Sequence, residues 1–209
     1  MNTKNILKEP NMNYTIICGN ENDLEKAEKA YISNVPWGAE YTPTSYFQGV
    51  YLKDEGFLFR LTCEEENPTA TLSGNCHGVA LDSCLELFLN FDPENNENYI
   101  NFEMNPKAAH LFGVGKDRYG RTDLENDIMP TVKSEITKDN WSVTLFVPLA
   151  ALTPVYGELH FGPGSVLKGN AFKCGGSTAP CTHYLSWAPM QKNERDFHRP
   201  DCFGSFIIK

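Results

Sequence analysis

The feature that most constrains the fold is a series of short runs in which apolar side chains occupy every second position. Such runs cover residues 56–63, 83–92, 99–105 and 141–147. Because successive side chains of a β-strand point to opposite faces, this spacing is typical of strands with one face in a core. Further short runs of strand-like composition lie at residues 15–18, 46–52, 110–114, 131–136, 157–161, 170–174, 184–187 and 203–208.

Turn-forming residues separate these runs, as in Asp92-Pro93 and Gly162-Pro163-Gly164. Many short strands between frequent turns predict an all-β fold, an antiparallel β-sandwich of the immunoglobulin or jelly-roll type with one or two short helices. Good helix formers are concentrated in residues 23–31. We therefore expect a short helix there and a single helical turn at residues 148–152.

Length and charge limit the domain count and the partners. The 209 residues are enough for one sandwich domain, which we place at residues 32–209, with residues 1–31 as an N-terminal extension whose short helix packs on it. A net charge of −9 argues against a nucleic acid partner, and no apolar run is long enough for a membrane span. The first residues lack the apolar stretch of a signal peptide, so we expect a cytoplasmic protein, or an extracellular one if a leader has been removed. The oligomeric state stays open.

The runs at residues 83–92 and 99–105 are joined by a short polar connection, which predicts an antiparallel hairpin. Its outer face should bring Glu86 and Phe88 near Asn101 and Glu103. A face exposed to water accounts for these polar residues without any function. An aromatic ring beside carboxylate and amide groups is also typical of a sugar site, since each such group can bond two vicinal hydroxyls.

The end of the chain, residues 183–209, joins a short strand with Trp187 to a polar loop and a final apolar strand. The loop contains Arg195, Asp196 and His198. A final strand in the core would hold the loop in place, so we expect the tail to form one wall of a small-molecule site whose ligand is a sugar. Two placements of Trp187 stay open: its ring stacks on the ligand, or it lies in the core, as most strand tryptophans do.

Two other chemistries are compatible with these residues. Directly opposed side chains on neighbouring strands have Cβ atoms ~5 Å apart, so Glu86 and Glu103 could form a retaining glycosidase pair, which needs carboxyl groups ~5–5.5 Å apart. Paired acids are, however, common on exposed sheet faces. The cysteines and histidines between Cys174 and Cys202 show no established zinc spacing. No metal ligand is therefore assigned, and no cofactor is expected.

Short motifs follow one another in a fixed order along the chain: Trp37, residues 82–88, residues 99–105, Gly115 with Arg118 and Arg121, Trp141, residues 183–187, residues 196–200, and Phe203-Gly204. In this order they resemble the carbohydrate-binding module family 9-like domains over residues 32–209. The resemblance implies a DOMON-like β-sandwich that binds glycans without catalysis, often as an accessory to glycoside hydrolases. Bound calcium ions are known in the family, so the resemblance also implies a structural calcium site.

The resemblance also implies site residues, because two tryptophans of classical members clamp the terminal sugar while Glu, Asn and Arg side chains bond its hydroxyls. Trp187 matches the later tryptophan. The earlier one falls at residues 79–81, which contain no aromatic ring, so the candidates to replace it are His77, Trp37 and Phe88. The polar positions carried over from the family are Glu86, Asn101, Glu103, Arg118 and Arg121.

The sequence thus predicts a non-catalytic domain that binds a sugar end or a short oligosaccharide, with a glycoside hydrolase as its expected partner. Two alternatives stay open. The first is a glycoside-active enzyme that uses Glu86 and Glu103. The second is a plain interaction module with Trp187 in its core.

Overall fold

The computed structural model describes residues 12–176, 181–191 and 193–209. Within them the chain forms thirteen strands and one α-helix, α1 (Leu149–Tyr156). The strands are β1 (Asn13–Gly19), β2 (Ala30–Tyr31), β3 (Ser45–Leu52), β4 (Gly56–Cys63), β5 (Ser83–Asn90), β6 (Tyr99–Met104), β7 (His110–Gly115), β8 (Thr122–Asp123), β9 (Thr131–Ile136), β10 (Trp141–Pro148), β11 (Val166–Gly175), β12 (His183–Ser186) and β13 (Gly204–Ile208). Short 3-10 helices lie at Glu21–Lys26, Val79–Leu81 and Pro200–Cys202.

The strands form two sheets that meet at β1. The order of the first sheet is β8-β7-β6-β5-β11-β13-β1, and that of the second is β1-β3-β4-β10-β9, with β12 added to β11 and β2 to β3. Strand β1 pairs in parallel with β13 through residues 13–16 and with β3 through residues 17–19. The remaining described pairs are antiparallel. The predicted all-β sandwich is confirmed, with a parallel seam at β1.

Strand β1 belongs to the part of the chain that was expected to be an extension. Tyr14 and Ile16 are buried in the main core. The Tyr14 hydroxyl accepts a 2.7 Å hydrogen bond from the amide of Gly49 in β3. The described part of residues 1–31 therefore supplies the strand that joins the two sheets. It is an integral part of the sandwich and not an extension packed on its surface. Residues 1–11 lie outside the described part of the chain.

The α-helix predicted at residues 23–31 is wrong in type and extent. The chain forms the 3-10 helix Glu21–Lys26 and then runs extended into β2. Gln48 of β3 donates side-chain hydrogen bonds to the carbonyls of Leu24 (3.0 Å) and Ala27 (2.8 Å). Both residues are also buried against the outer face of the second sheet. These tertiary contacts outweigh the helix propensity of the segment.

Two smaller expectations near α1 also differ from the structure. The single turn expected at residues 148–152 is a longer helix, and the run at residues 157–161 forms no strand. Gly157 follows the helix with φ 74°, a left-handed conformation that glycine adopts without the cost a side chain would add. Among the described residues, no helix is long and apolar enough to cross a membrane.

The main core lies between the two sheets. Leu85, Leu87 and Leu89 point inward from β5, and Phe57 and Phe59 point inward from β4. The alternation read from the sequence thus gives the inward face of both strands. Burial of these side chains is the main stabilising contribution, at ~1.5–3 kcal/mol for each large apolar side chain.

The outer face of the first sheet is also covered, so β5 and β6 are buried on both faces. A second apolar cluster joins the outward side chains of this sheet to residues of the tail that follows β12. Its buried members are Phe88, Tyr99, Phe172, Met190, Cys202 and Phe203. The tail is therefore fixed over the outer face of the hairpin β5–β6.

Candidate functional site

The hairpin β5–β6 has the register expected from the sequence. Glu86 lies directly opposite Glu103, and Phe88 lies opposite Asn101. Since the inward positions carry leucines, these four side chains lie on the outer face of the first sheet. Glu86 and Glu103 line an open cleft of about 450 Å³. We call these two residues the floor of the cleft.

Both floor carboxyl groups are largely withdrawn from water, since Glu86 is 3% and Glu103 8% exposed. Burial, and after it the charge of Glu103, raises the pKa of Glu86 well above its ordinary value. Burial also raises the pKa of Glu103, although a 2.8 Å hydrogen bond from Asn101 opposes this. Among the described residues, no Lys or Arg forms an ion pair with either group. The pair therefore retains protons more readily than exposed carboxylates do.

Arg121 holds Asn101 in place. Its Nε and Nη2 donate to Asn101 Oδ1 at 3.0 and 2.5 Å, and its Nη1 donates to the carbonyl of Asp117 at 2.8 Å. Its guanidinium also lies 4.3 Å from the centre of the Tyr99 ring. Neither Asn101 nor Arg121 lines the cleft. Both act on Glu103 from outside the cleft: Arg121 orients the Asn101 side-chain amide, and this amide donates a hydrogen bond to Glu103.

The tail supplies a second side of the cleft. Arg118 Nη1 donates to Asp196 Oδ1 at 3.1 Å, and Asp196 also accepts the backbone amide of His198. His198 Nδ1 shares a 2.8 Å hydrogen bond with the Tyr99 hydroxyl. Burial, together with the charge of Arg121, lowers the pKa of His198 to about 4. His198 is therefore a neutral group of the cleft at pH 7, and the Arg118–Asp196 pair lies beside it.

Aromatic side chains form a third side. Trp37, Tyr184 and Phe197 all line the cleft. The partly exposed Trp37 ring lies 5.3 Å from the Phe197 ring and edge-on to Tyr184 at 6.0 Å. Its Nε1 donates to the carbonyl of Gln191 at 3.2 Å, which fixes the orientation of the indole.

Trp187 lies elsewhere, between the two sheets. It is 3% exposed and belongs to the main core. Its ring meets Phe47 edge-on at 5.5 Å and Phe206 at 5.1 Å. The expected stacking of Trp187 on a ligand does not fit this placement, because the ring points to the inner side of the sheet. The core alternative for Trp187 agrees with it.

The other two candidate aromatic residues are also outside the cleft. Phe88 is fully buried beneath the tail, where its ring lies 4.9 Å from the ring of His198. The side chain of His77 is 77% exposed, and its Nε2 lies 3.3 Å from a carboxylate oxygen of Asp123. Of the three candidates to replace the earlier tryptophan, only Trp37 lines the cleft that contains the floor carboxyl groups.

Sequence reasoning did not assign a role to Tyr184 or Phe197. Both lie within the motifs that carried the family resemblance, but their types alone do not distinguish a lining residue from a core residue. A metal site is also not evident, since no group of three or more His, Cys, Asp or Glu side chains in the described ranges could hold an ion. Structural calcium stays a prediction.

The fold and the cleft together define a ligand-binding β-sandwich. The sequence profile of carbohydrate-binding family 9 matches residues 19–208, nearly the whole chain. The chain therefore belongs to carbohydrate-binding family 9, and it is a carbohydrate-binding domain. No curated protein matches the chain in a sequence comparison.

Solved structures agree with this fold. A "putative carbohydrate-binding protein" from Bacteroides uniformis is 22% identical, with a TM-score of 0.80 over 94% of this chain and 99% of that chain. A carbohydrate binding module family 9 from Caldicellulosiruptor kristjanssonii in complex with glucose is 12% identical, with a TM-score of 0.65 over 95% of this chain and 96% of that one. A carbohydrate binding module family 9 from the same organism in complex with cellotriose is 11% identical, with a TM-score of 0.66 over 95% of this chain and 94% of that one.

Proposed function

We propose that the cleft binds the end of a glycan or a short oligosaccharide, without catalysis, with Trp37 as its aromatic platform. The observation that carries this proposal is that a partly exposed, hydrogen-bonded tryptophan and the two floor carboxyl groups line one cleft. A volume of about 450 Å³ lies within the range of small-molecule sites, ~300–1,000 Å³. The two related modules bound to glucose and cellotriose support a ligand of the glucose type.

Each group has a distinct part in this proposal. The face of Trp37 can pack on the apolar C–H face of a pyranose ring, and the Gln191 carbonyl keeps that face in position. Glu86 and Glu103 accept hydrogen bonds from sugar hydroxyls. Arg118, whose side chain is half-exposed, donates to a hydroxyl while it stays paired with Asp196. Asn101 and Arg121 act indirectly, since they orient Glu103.

Titration calorimetry with glucose and cello-oligosaccharides tests the proposal. We expect Trp37→Ala to weaken binding by roughly 5- to 140-fold, since stacking of a ring on a planar aromatic group contributes ~1–3 kcal/mol in nucleic-acid sites. Tyr31→Ala is the matched control, because this aromatic residue is 53% exposed on β2, in the other sheet. Equal affinities of the wild type and Trp37→Ala for every sugar that binds would refute the platform.

An accessory role beside a glycoside hydrolase also stays a proposal. It predicts that the domain, fused to such an enzyme, raises hydrolysis of an insoluble glycan but not of a soluble one. The Trp37→Ala fusion is the control, and it should lose the gain. Equal hydrolysis by both fusions would contradict the role.

A further inference from the structure

In the part of the chain that the structure describes, the floor carboxyl groups form no ion pair with Lys or Arg, although several cations lie around them. Lys173 of β11 lowers the pKa of Glu86 through its charge, but its ammonium bonds the Cys174 carbonyl (2.8 Å), His183 (2.9 Å) and Glu65 (3.3 Å). Its donors are thus used within a separate buried cluster. Lys173 therefore leaves the floor without a direct charge partner.

Two arginines near the cleft are also bonded to other groups, and a third lies against an aromatic ring. Arg121 gives its donors to Asn101 and to backbone carbonyls, and Arg118 bonds Asp196. The guanidinium of Arg195 lies 5.2 Å from the centre of the Tyr184 ring. On the remaining side, His77 lowers the pKa of Glu103 slightly, but its Nε2 lies 3.3 Å from a carboxylate oxygen of Asp123.

Neutral neighbours do not replace a counter-ion. Asn101 donates one hydrogen bond to Glu103. Glu86 is in hydrogen-bond contact with the Cys174 thiol, a weak donor whose sulfur also lies 3.2 Å from the Ala80 carbonyl. Among the described residues, the Glu86 carboxyl group, which is 3% exposed and faces the cleft, thus has one weak hydrogen-bond partner. Buried charges are otherwise paired or neutralised, because their desolvation is costly.

A ligand cation would satisfy this arrangement better than a neutral hydroxyl. An ammonium group has three donors and a positive charge, so it can bond two opposed carboxylates at once. A hydroxyl brings one donor and no charge. Resting on the proposed function, we propose that the floor recognises a protonated amino group, and that the preferred ligand class is the amino sugars with a free amine.

The test compares glucosamine, glucose and N-acetylglucosamine by titration calorimetry of the wild-type protein at about pH 6, where a primary amine of this kind is protonated. We expect glucosamine to bind at least about tenfold more tightly than glucose, a factor that corresponds to ~1.4 kcal/mol. N-acetylglucosamine, whose nitrogen is neutral, should lose this gain. Because the ammonium favours the ionised form of both carboxyl groups, binding of glucosamine should release protons, which titration in two buffers of different ionisation enthalpy measures.

Three variants assign the preference to the floor. Glu86→Gln and Glu103→Gln, made separately, should each reduce the glucosamine-to-glucose affinity ratio to below about threefold. Two variants are used so that the test still holds if one of them folds poorly. Glu158→Gln, which changes an 85% exposed side chain after α1, is the matched control and should keep the wild-type ratio.

The outcomes separate this inference from the proposed function. Equal affinities for glucosamine and glucose, with glucose binding still lost in Trp37→Ala, would overturn the amine preference and leave the sugar cleft in place. An amine preference that survives in both floor variants would overturn its assignment to Glu86 and Glu103. Absence of binding for all three sugars and for cello-oligosaccharides would overturn both proposals.

Discussion

Replacing Trp187 by alanine distinguishes sharply between its two placements. The ring is 3% exposed and packs on Phe47 and Phe206 at centroid distances of 5.5 and 5.1 Å, so its removal leaves a cavity between the sheets. Truncation of a buried tryptophan to alanine costs ~3–5 kcal/mol. Since 1 kcal/mol corresponds to ~2–4 °C in a domain of this size, we expect the Tm to fall by roughly 6–20 °C.

The assay compares this variant with Trp37→Ala. Urea denaturation followed by far-ultraviolet circular dichroism gives the free energy of unfolding, and calorimetric titration well below the variant's Tm gives the sugar affinity. Trp187→Ala should be strongly destabilised but should bind sugar once folded. Trp37→Ala should lose only about 1 kcal/mol of stability, because its ring is partly exposed, while its affinity should fall.

The reverse result would refute this placement. If Trp187→Ala loses less than about 1 kcal/mol and no longer binds sugar, Trp187 contacts the ligand and the core assignment fails. Trp187→Phe provides the control for a partial cavity, and its stability should lie between those of the wild type and the alanine variant. Unequal sugar affinities of the folded wild type and Trp187→Phe would also count against a purely structural role.

Three further predictions concern the buried charges. Lys173→Met should lower the free energy of unfolding by ~3–5 kcal/mol, because it removes the ammonium that lies 3.3 Å from the buried Glu65 carboxylate. Adding Glu65→Gln should restore part of this loss. Urea denaturation measures both changes. Burial raises the pKa of Asp82, but four hydrogen bonds to its carboxylate outweigh this and bring the pKa below its ordinary value. The stability that Asp82 contributes is therefore fully present above the pKa of Asp82 in the unfolded chain. It is lost as the pH falls through the lower pKa of the folded protein. Denaturation across this acid range should therefore show a steeper loss for the wild type than for Asp82→Asn, and parallel curves would contradict this. Cello-oligosaccharides should yield no reducing sugar, as expected of a cleft that binds sugar without catalysis, and burial, which raises the pKa of both floor carboxyl groups, disfavours the ionised nucleophile of a retaining enzyme. Release of reducing sugar that disappears in Glu86→Gln would contradict this.

The floor of the cleft could be predicted to the level of register. The short polar connection between β5 and β6 allows few pairings, and the leucines at every second position determine which side chains point outward. Glu86 opposite Glu103 follows from these two local facts. The burial of the two carboxyl groups could not be predicted from the same local facts. It depends on the tail, which is distant in sequence and covers this face of the sheet.

The position of the aromatic residues could not be predicted, because long-range contacts set it. Trp37 lies in an irregular segment without periodicity, and its orientation depends on the carbonyl of Gln191. Trp187 follows β12 directly, where alternation alone does not say which face is the inner one. Its backbone is held by Ala171 and Asn34, and these contacts turn the ring inward.

The tail links the core tryptophan to the cleft. A Cβ at Gly204 would lie 2.7 Å from the Trp187 ring, so glycine at this position lets the indole pack directly on the backbone of β13. The loop between Trp187 and Gly204 returns over the outer face, where Met190 and Phe203 join the second cluster. Because both ends of this loop are fixed from inside the sandwich, Asp196 and its neighbours are held at the cleft. We therefore expect a substitution at Trp187 to affect sugar binding only where it disturbs the packing of the tail, and not through a lost contact with the ligand.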